Sequence, residues 1–360
     1  MKDLLRNAAA LSARVRAGGV LPLIAEAERH GVAGLLAHRA GAELHPELSA
    51  LRRRLMLEEG LRSAEMRRVM DALGGAGIRA VILKGSALAY TLYPEPWCRT
   101  RADLDLLVAR ADRAAAGRVL QAAGYGPGDL VSGTWLMQQD LWERALVPDA
   151  TQMVDVHVEF TNRAFFAEHF PAAHGLAHAV PAPFAGPLAW QLDPADALIF
   201  SCVHRVAHHS RDARLIWSHD VALQAAACTA EDVAQLVARA SAHGLAVICA
   251  QELGTARDTW GGRAGALADD VMAALGAAGA AEASRVFLVA GRGPAGDLWL
   301  DLGALKSWRD RARLVAEHLF PPRNFMLRQP GATSRNLPWR YLKRILTGPL
   351  RWGREALLGP

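Results

Sequence analysis

A chain of 360 residues with 51% apolar side chains can fill a sizeable core and hold two domains, which excludes a mostly disordered protein. Four scattered cysteines, Cys98, Cys202, Cys228 and Cys249, show no C-x-x-C spacing; a disulfide framework or zinc finger is disfavoured, and a reducing cytoplasmic setting fits. Charge is segregated: residues 301–360 carry 12 Lys and Arg against 4 Asp and Glu, a net of +8, whereas the other 300 carry 29 against 32, a net of −3, which argues against a broad nucleic-acid groove across the body.

In chain order, residues 1–75 read as helix. Leu48, Leu51, Leu55 and Met56 recur at helical spacing, and Gly74, Gly75 and Gly77 stop the run. The opening residues lack the apolar segment of a signal peptide, and no stretch approaches the ~18 apolar residues of a membrane span. Residues 79–84 predict a strand ending in Lys84-Gly85-Ser86, and residues 86–93 a short helix stopped by Pro94 and Pro96. Residues 103–108 predict a second strand and 111–123 an Ala-rich helix ending at Gly124. Residues 125–148 read as a strand and hairpin, with Trp142 to Val147 as strand, and 153–160 alternate cleanly as another. Residues 163–190 look like loop and short helix. From Asp193 to about Gly291 the apolar spacing is helical. A mixed first half and a helical second half make the fold class α+β, divided as a lead-in over 1–75, a catalytic core over 76–165, a helical domain over 166–300 and a basic tail over 301–360.

The chemistry sits on the predicted strands. Side chains alternate along a strand, so Asp103 and Asp105 share one face, as do Asp155, His157 and Glu159. A half-buried strand with one wet face gives the same alternation, but Asp, His and Glu together are a more pointed choice. Close carboxylates repel unless a cation lies between them, and Mg²⁺ is the simplest such cation, with Mn²⁺ as an alternative. If the two strands are neighbours, three carboxylates can hold two divalent ions for in-line phosphoryl displacement. The Gly85-Ser86 turn would offer backbone N–H groups to phosphates.

Lys84-Gly85-Ser86, then Tyr90, Pro94 and Arg99, then Asp103-x-Asp105-x-Leu107-Val108 and Val154-Asp155-Val156-His157 resemble the DNA polymerase β-type nucleotidyltransferase superfamily, and within it the bacterial uncharacterised nucleotidyltransferase family. The resemblance extends over most of the chain, through His204, His208, Trp217 and Asp220. It implies a small mixed sheet with flanking helices, a helical N-terminal lead-in and a C-terminal helical domain. It also implies Mg²⁺-dependent transfer of a nucleotidyl group from an NTP, ATP by default, to an unidentified acceptor: a small molecule, a glycan or lipid precursor, or a peptide. Asp103, Asp105 and Asp155 would bind the metals, and Asp155 would help deprotonate the attacking hydroxyl. Lys84, Gly85, Ser86 and Arg99 would hold the nucleotide. His157, Glu159, His204, His208, Trp217 and Asp220 would form the acceptor side or support the ligands. Ser86 precedes Asp103 by 17 residues, more than the superfamily's usual spacing.

Plainer readings stand beside these. Lys84 could end a strand with its amine in solvent, and Arg99 could pair with Glu95 or Asp103 at the surface. His204 and His208 have the i, i+4 spacing of zinc ligands without the glutamate of H-E-x-x-H; a polar network with Asp220 on Arg205 or a histidine explains them as well. The alternative function is a catalytically silent nucleotide- or partner-binding protein on the same fold. In the tail, Trp339, Leu342, Ile345 and Leu346 fall on one helical face with Arg340, Lys343 and Arg344 opposite. That face suits docking on the body, with peripheral membrane contact through residues 338–358 as the second option; Gly348-Pro349 should break the helix early.

Overall fold

The computed structural model describes residues 1–16, 19–40, 45–128, 139–148, 150–209, 214–261, 269–289 and 294–358. Seven strands form one mixed sheet: β1 (Val81–Ile82), β2 (Asp103–Leu107), β3 (Gly126–Pro127), β4 (Gln139–Val147), β5 (Ala150–His157), β6 (Val180–Pro181) and β7 (Trp190–Gln191), in the order β3-β4-β5-β2-β1-β7-β6. The centre is β5-β2-β1. There β2 runs parallel to β5 and antiparallel to β1.

The lead-in ends in a long helix, Pro46–Gly75, which starts with a proline in its first turn and stops where Gly77 adopts φ +75°. Its buried stripe of Leu48, Leu51, Leu55, Met66, Val69 and Leu73 lies against the N-terminal helices and then the sheet. Met56, one residue past Leu55, is turned outward and is largely exposed. Glu65 is buried on this helix. Burial favours its neutral form, but hydrogen bonds from Arg68, Tyr125 and Arg144 outweigh that and hold its carboxyl at about 2.

Leu104, Leu106 and Val108, with Val154, Val156 and Val158, pack one face of the sheet against Met66, Val69 and Leu73. The opposite face carries the carboxylates. Around them a second apolar cluster runs from Val81, Leu83 and Leu107 through Phe160 to Phe200, Ile248 and Leu253, so the helical region shares a core with the sheet.

The first strand is shorter than the sequence suggests: it spans two residues, and a helix, Lys84–Thr91, begins at the lysine itself. The reading of 153–160 shifts toward the N-terminus, because pairing with β4 and β2 runs over Ala150–His157 and then ends. Part of the predicted strand and hairpin over 125–148 lies at 129–138, outside the described residues. Two short strands, β6 and β7, fall in the region read as loop.

The helical region comprises Pro194–His208, Leu215–Ala227, Ala230–Ala242, Ala246–Trp260 and Asp269–Ala278. Its first helix is capped by Asp193, which accepts from the backbone N–H groups of Ala195 and Asp196. The tail ends in a single helix, Leu337–Leu358, that passes through Gly348-Pro349, contrary to the expected break. Proline removes one i→i−4 donor but its fixed φ is helical, so a helix held by other contacts continues through it. Tyr341 donates to the Pro321 carbonyl at 2.6 Å and Arg344 to that of His318 at 2.6 Å; this is the docked face. Trp339, Leu342 and Leu346 point outward, so the stripe expected to dock is the exposed one.

Candidate functional site

The parallel register places Asp105 directly beside Asp155 and Asp103 beside Met153. Because side chains alternate, Asp103, Asp105, Asp155 and His157 all leave the same face of two adjacent strands. One ligand atom each from Asp105, Asp155 and His157 lies within 4.8 Å of the others. Asp103 stands at the edge of this group, on the side of Arg99.

Asp105 is almost fully buried and doubly held: Lys84 Nζ donates to its Oδ1 at 2.7 Å and His157 Nε2 at 2.8 Å. Burial alone would raise its proton affinity. The Lys84 ammonium and the His157 hydrogen bond outweigh that, and Asp105 stays ionised, well below the usual carboxylate range. Its neighbours respond to that fixed charge. Asp105's charge, aided by burial, pushes Asp103 up to about 6. Burial, with Asp105 and Asp103 adding to it, pushes Asp155 up to about 7. Asp155 Oδ1 is buried without a hydrogen-bond partner. Three carboxylates sharing one ammonium, with a buried oxygen left over, are the donor set a hard divalent cation takes.

Lys84 is the one non-glycine residue with positive φ among the described residues, at +50°. That conformation costs about 1–2 kcal/mol for an ordinary side chain. It turns the chain from β1 into the Lys84–Thr91 helix while aiming the amine at Asp105. Burial disfavours its ammonium, but Asp105 and Asp103 more than compensate and hold the proton on. Gly85 is close-packed: a Cβ there would lie 2.9 Å from Arg99 Cζ. Ser86 is buried and donates to the Asp103 carbonyl at 3.3 Å, tying the helix to β2.

Arg99 is neither at the surface nor paired with Glu95 or Asp103. It is 8% exposed and forms a bidentate pair with Asp220, Nε to Oδ1 at 2.9 Å and Nη2 to Oδ2 at 2.7 Å. Tyr93 Oη also donates to Asp220 Oδ1 at 2.6 Å, and His219 Nδ1 lies 3.1 Å from that hydroxyl. Asp220 is thus committed to Arg99, while Arg205 pairs with Glu252. Tyr93 and His219 give no signal in the sequence, since the partners sit more than 120 residues apart.

The remaining expected residues separate into two groups. His157 orients Asp105, whereas the sequence suggested Asp155 or the acceptor; burial and then Lys84 keep its ring neutral, so Nε2–H donates. Glu159 lies past the end of β5 and is placed away from the carboxylates: it pairs with Arg110 at 3.0 Å and accepts from Ala172 N–H at 2.9 Å. From the helical region, Phe200 sets its ring 5.9 Å from Lys84 Nζ, and His204 follows one turn later. Burial, followed by the nearby Lys84, depresses His204 far below the ordinary imidazole value. His208 is 5.3 Å from His204 between ring centres, and Trp217 stacks on His209 at 3.9 Å. His204 and His208 thus lie within electrostatic reach of Lys84 and His157 at the carboxylate site.

Carboxylates on adjacent strands, with His157 among them and a lysine at a helix start beside them, form a group that could hold a divalent cation. A family model described as uncharacterised nucleotidyltransferase matches residues 16–261, which is more than half of the chain. The chain belongs to that family and is a nucleotidyltransferase. No curated protein matches it.

Proposed function

We propose that the protein has a polymerase β-like core and transfers a nucleotidyl group from an NTP, ATP by default, to a hydroxyl-bearing acceptor. The observation that carries this reading is the side-by-side placement of Asp105 and Asp155, with Asp155 Oδ1 buried and unpartnered. In the reaction the acceptor oxygen attacks the α-phosphorus, the bond to the bridging oxygen breaks, and pyrophosphate leaves. Asp103, Asp105 and Asp155 would hold Mg²⁺, or Mn²⁺, which supplies charge neutralisation at the transferring phosphate. Asp155, on the acceptor side of these carboxylates, would also help deprotonate the attacking hydroxyl. Lys84 and the N–H groups of Gly85 and Ser86 face the triphosphate. Arg99 acts as a positioning residue: it covers Gly85 and fastens β2's approach to the helical region through Asp220. The acceptor enters under His204, His208 and Trp217. Through the outward stripe of its last helix the protein rests on an anionic membrane surface.

Asp155→Asn tests the reaction with little structural disturbance, because Oδ1 makes no hydrogen bond to the protein. Pyrophosphate release from NTP in the presence of Mg²⁺ should fall by at least ~100-fold, with circular dichroism unchanged. An unaltered rate would remove the carboxylates from the chemistry. Asp105→Ala is a poorer probe, since it strands Lys84 in a buried site and unfolding could mimic inactivity.

A further inference from the structure

Away from the carboxylates, a second group of metal-type ligands meets at the start of the Pro194–His208 helix. His174 and His178 lie four residues apart on the Ala172–His178 helix, so both rings leave the same side. Asp196, in the first turn of the Pro194–His208 helix, faces them, and one ligand atom from each of the three lies within 4.8 Å of the others. We propose that His174, His178 and Asp196 form a zinc-binding site that clamps these two helices together.

Four features support it. Asp196 is fully buried, and its Oδ2 has no hydrogen-bond partner. A buried carboxylate oxygen left unsatisfied needs a donor or a cation. His174 Nε2 already stands 3.1 Å from Asp196 Oδ1. That contact brings the imidazole up to the Asp196 carboxylate, whose unpartnered Oδ2 is the oxygen open to a metal; two ligands on a tetrahedral zinc, each about 2.0–2.1 Å from it, lie roughly 3.3 Å apart. His178 donates Nδ1–H to the His174 carbonyl at 2.9 Å, which leaves Nε2 as the ligating atom. That pattern, one ring nitrogen on a backbone carbonyl and the other on the metal, is how metal-bound histidines are usually oriented. Finally, the Ala172–His178 helix cannot roll freely: a Cβ at Gly175 would lie 2.4 Å from Phe160 Cζ, so the rings are aimed by the packing beneath them.

Arg239 bears on the charge balance. Its Nη1 lies 2.9 Å from Asp196 Oδ1 and 2.7 Å from Asp193 Oδ2. One guanidinium against two carboxylates leaves a negative charge, and Arg239 sits on Oδ1 while Oδ2 stays open. It therefore steadies the ligand from behind. Two imidazoles and one carboxylate favour zinc over Mg²⁺ or Ca²⁺, which take oxygen donors. Because His178 is exposed, a water can complete the shell. His204 lies about 12 Å farther along the same helix at 1.5 Å per residue, so the clamp would brace the helix that carries His204 and His208. The inference does not rest on the reaction proposed above.

The test is titration of the full-length protein with Zn²⁺ by calorimetry, and with Co²⁺ by visible absorption, in excess Mg²⁺ to fill the carboxylate site. Wild type should take up one equivalent of Zn²⁺ with micromolar or tighter affinity, and its Co²⁺ form should show intense tetrahedral bands. His178→Ala, at an exposed position, should keep the fold and weaken binding at least tenfold; Asp196→Asn should do the same. Asp155→Asn should leave the Zn²⁺ equivalent in place. Equal binding by wild type and His178→Ala would overturn the proposal. So would loss of the Zn²⁺ equivalent in Asp155→Asn alone, which would assign the ion to the carboxylates, and so would no uptake by wild type.

Discussion

At the scale of single residues, Lys84 explains how three carboxylates coexist on one sheet face. Its ammonium neutralises Asp105; the charge of Asp105 raises the proton affinity of Asp103, and burial, with that charge adding to it, raises that of Asp155. A carboxylate whose proton affinity is higher in the folded state contributes stability below its unfolded value, near pH 4, and loses it as the pH rises through its folded value. For Asp155 that loss accumulates from about pH 4 and levels off near pH 7. Metal-free protein should therefore lose stability between pH 5 and pH 8. Asp155→Asn should escape that loss, so its lead in melting temperature over wild type should widen by several degrees from pH 5 to pH 8, on the order of 2 kcal/mol. Thermal denaturation in EDTA at the two pH values measures this. Adding Mg²⁺ at pH 8 should then raise wild type and leave the variant where it was. A wild-type melting temperature that climbs steadily from pH 5 to pH 8 in EDTA, with the variant parallel to it, would contradict the assignment.

At the scale of elements, the strand-to-helix turn from β1 into Lys84–Thr91 is locked by what lies on it. Gly85 occupies the first turn of a helix, where alanine is intrinsically better by up to about 1 kcal/mol. Packing reverses that preference, because Arg99 fills the space of the missing Cβ and is itself fixed to Asp220. Gly85→Ala should thus destabilise by about 1–3 kcal/mol and weaken NTP binding. The effect should largely vanish in an Arg99→Ala background; simple additivity in that double-mutant cycle would show that Gly85 and Arg99 do not interact. Much of this was legible in the chain. Asp103 and Asp105, and Asp155 and His157, alternate with valines and leucines, so which residues share a face follows from the two-residue period alone. The register did not follow, because nothing local says that Asp105 stops beside Asp155 and not Met153. Glu159 was misplaced for the same reason: it continues the alternation in sequence, but β5 ends at His157 where its partner strands end. Arg99–Asp220 is a contact across 121 positions, and pairing at that separation leaves no periodic trace.

At the scale of the whole molecule, the net of +8 in residues 301–360 belongs to a layer of helices on the body. No helix among the described residues is long and apolar enough to cross a membrane. The last helix nevertheless leaves Trp339, Leu342 and Leu346 at 63%, 45% and 59% exposure, spaced i, i+3 and i+7 along one side. Trp308 and Phe320 add large exposed rings from the same layer. The docked side is already satisfied by Tyr341 and Arg344, so rolling the helix inward would break both hydrogen bonds. Lys343 stands exposed beside the stripe. A Trp-bearing stripe with basic residues nearby matches an anionic bilayer, where each buried Leu or Trp contributes up to about 1.5–3 kcal/mol and each basic residue about 1 kcal/mol. The protein should therefore co-sediment with vesicles containing phosphatidylserine, weakly or not at all with neutral phosphatidylcholine, and less as salt rises. Leu342→Glu/Leu346→Glu changes only exposed positions, so the fold should persist while vesicle binding drops at least tenfold. Binding that survives this substitution would place the contact elsewhere on the basic layer, and no binding to anionic vesicles by wild type would return the stripe to ordinary solvent-exposed surface.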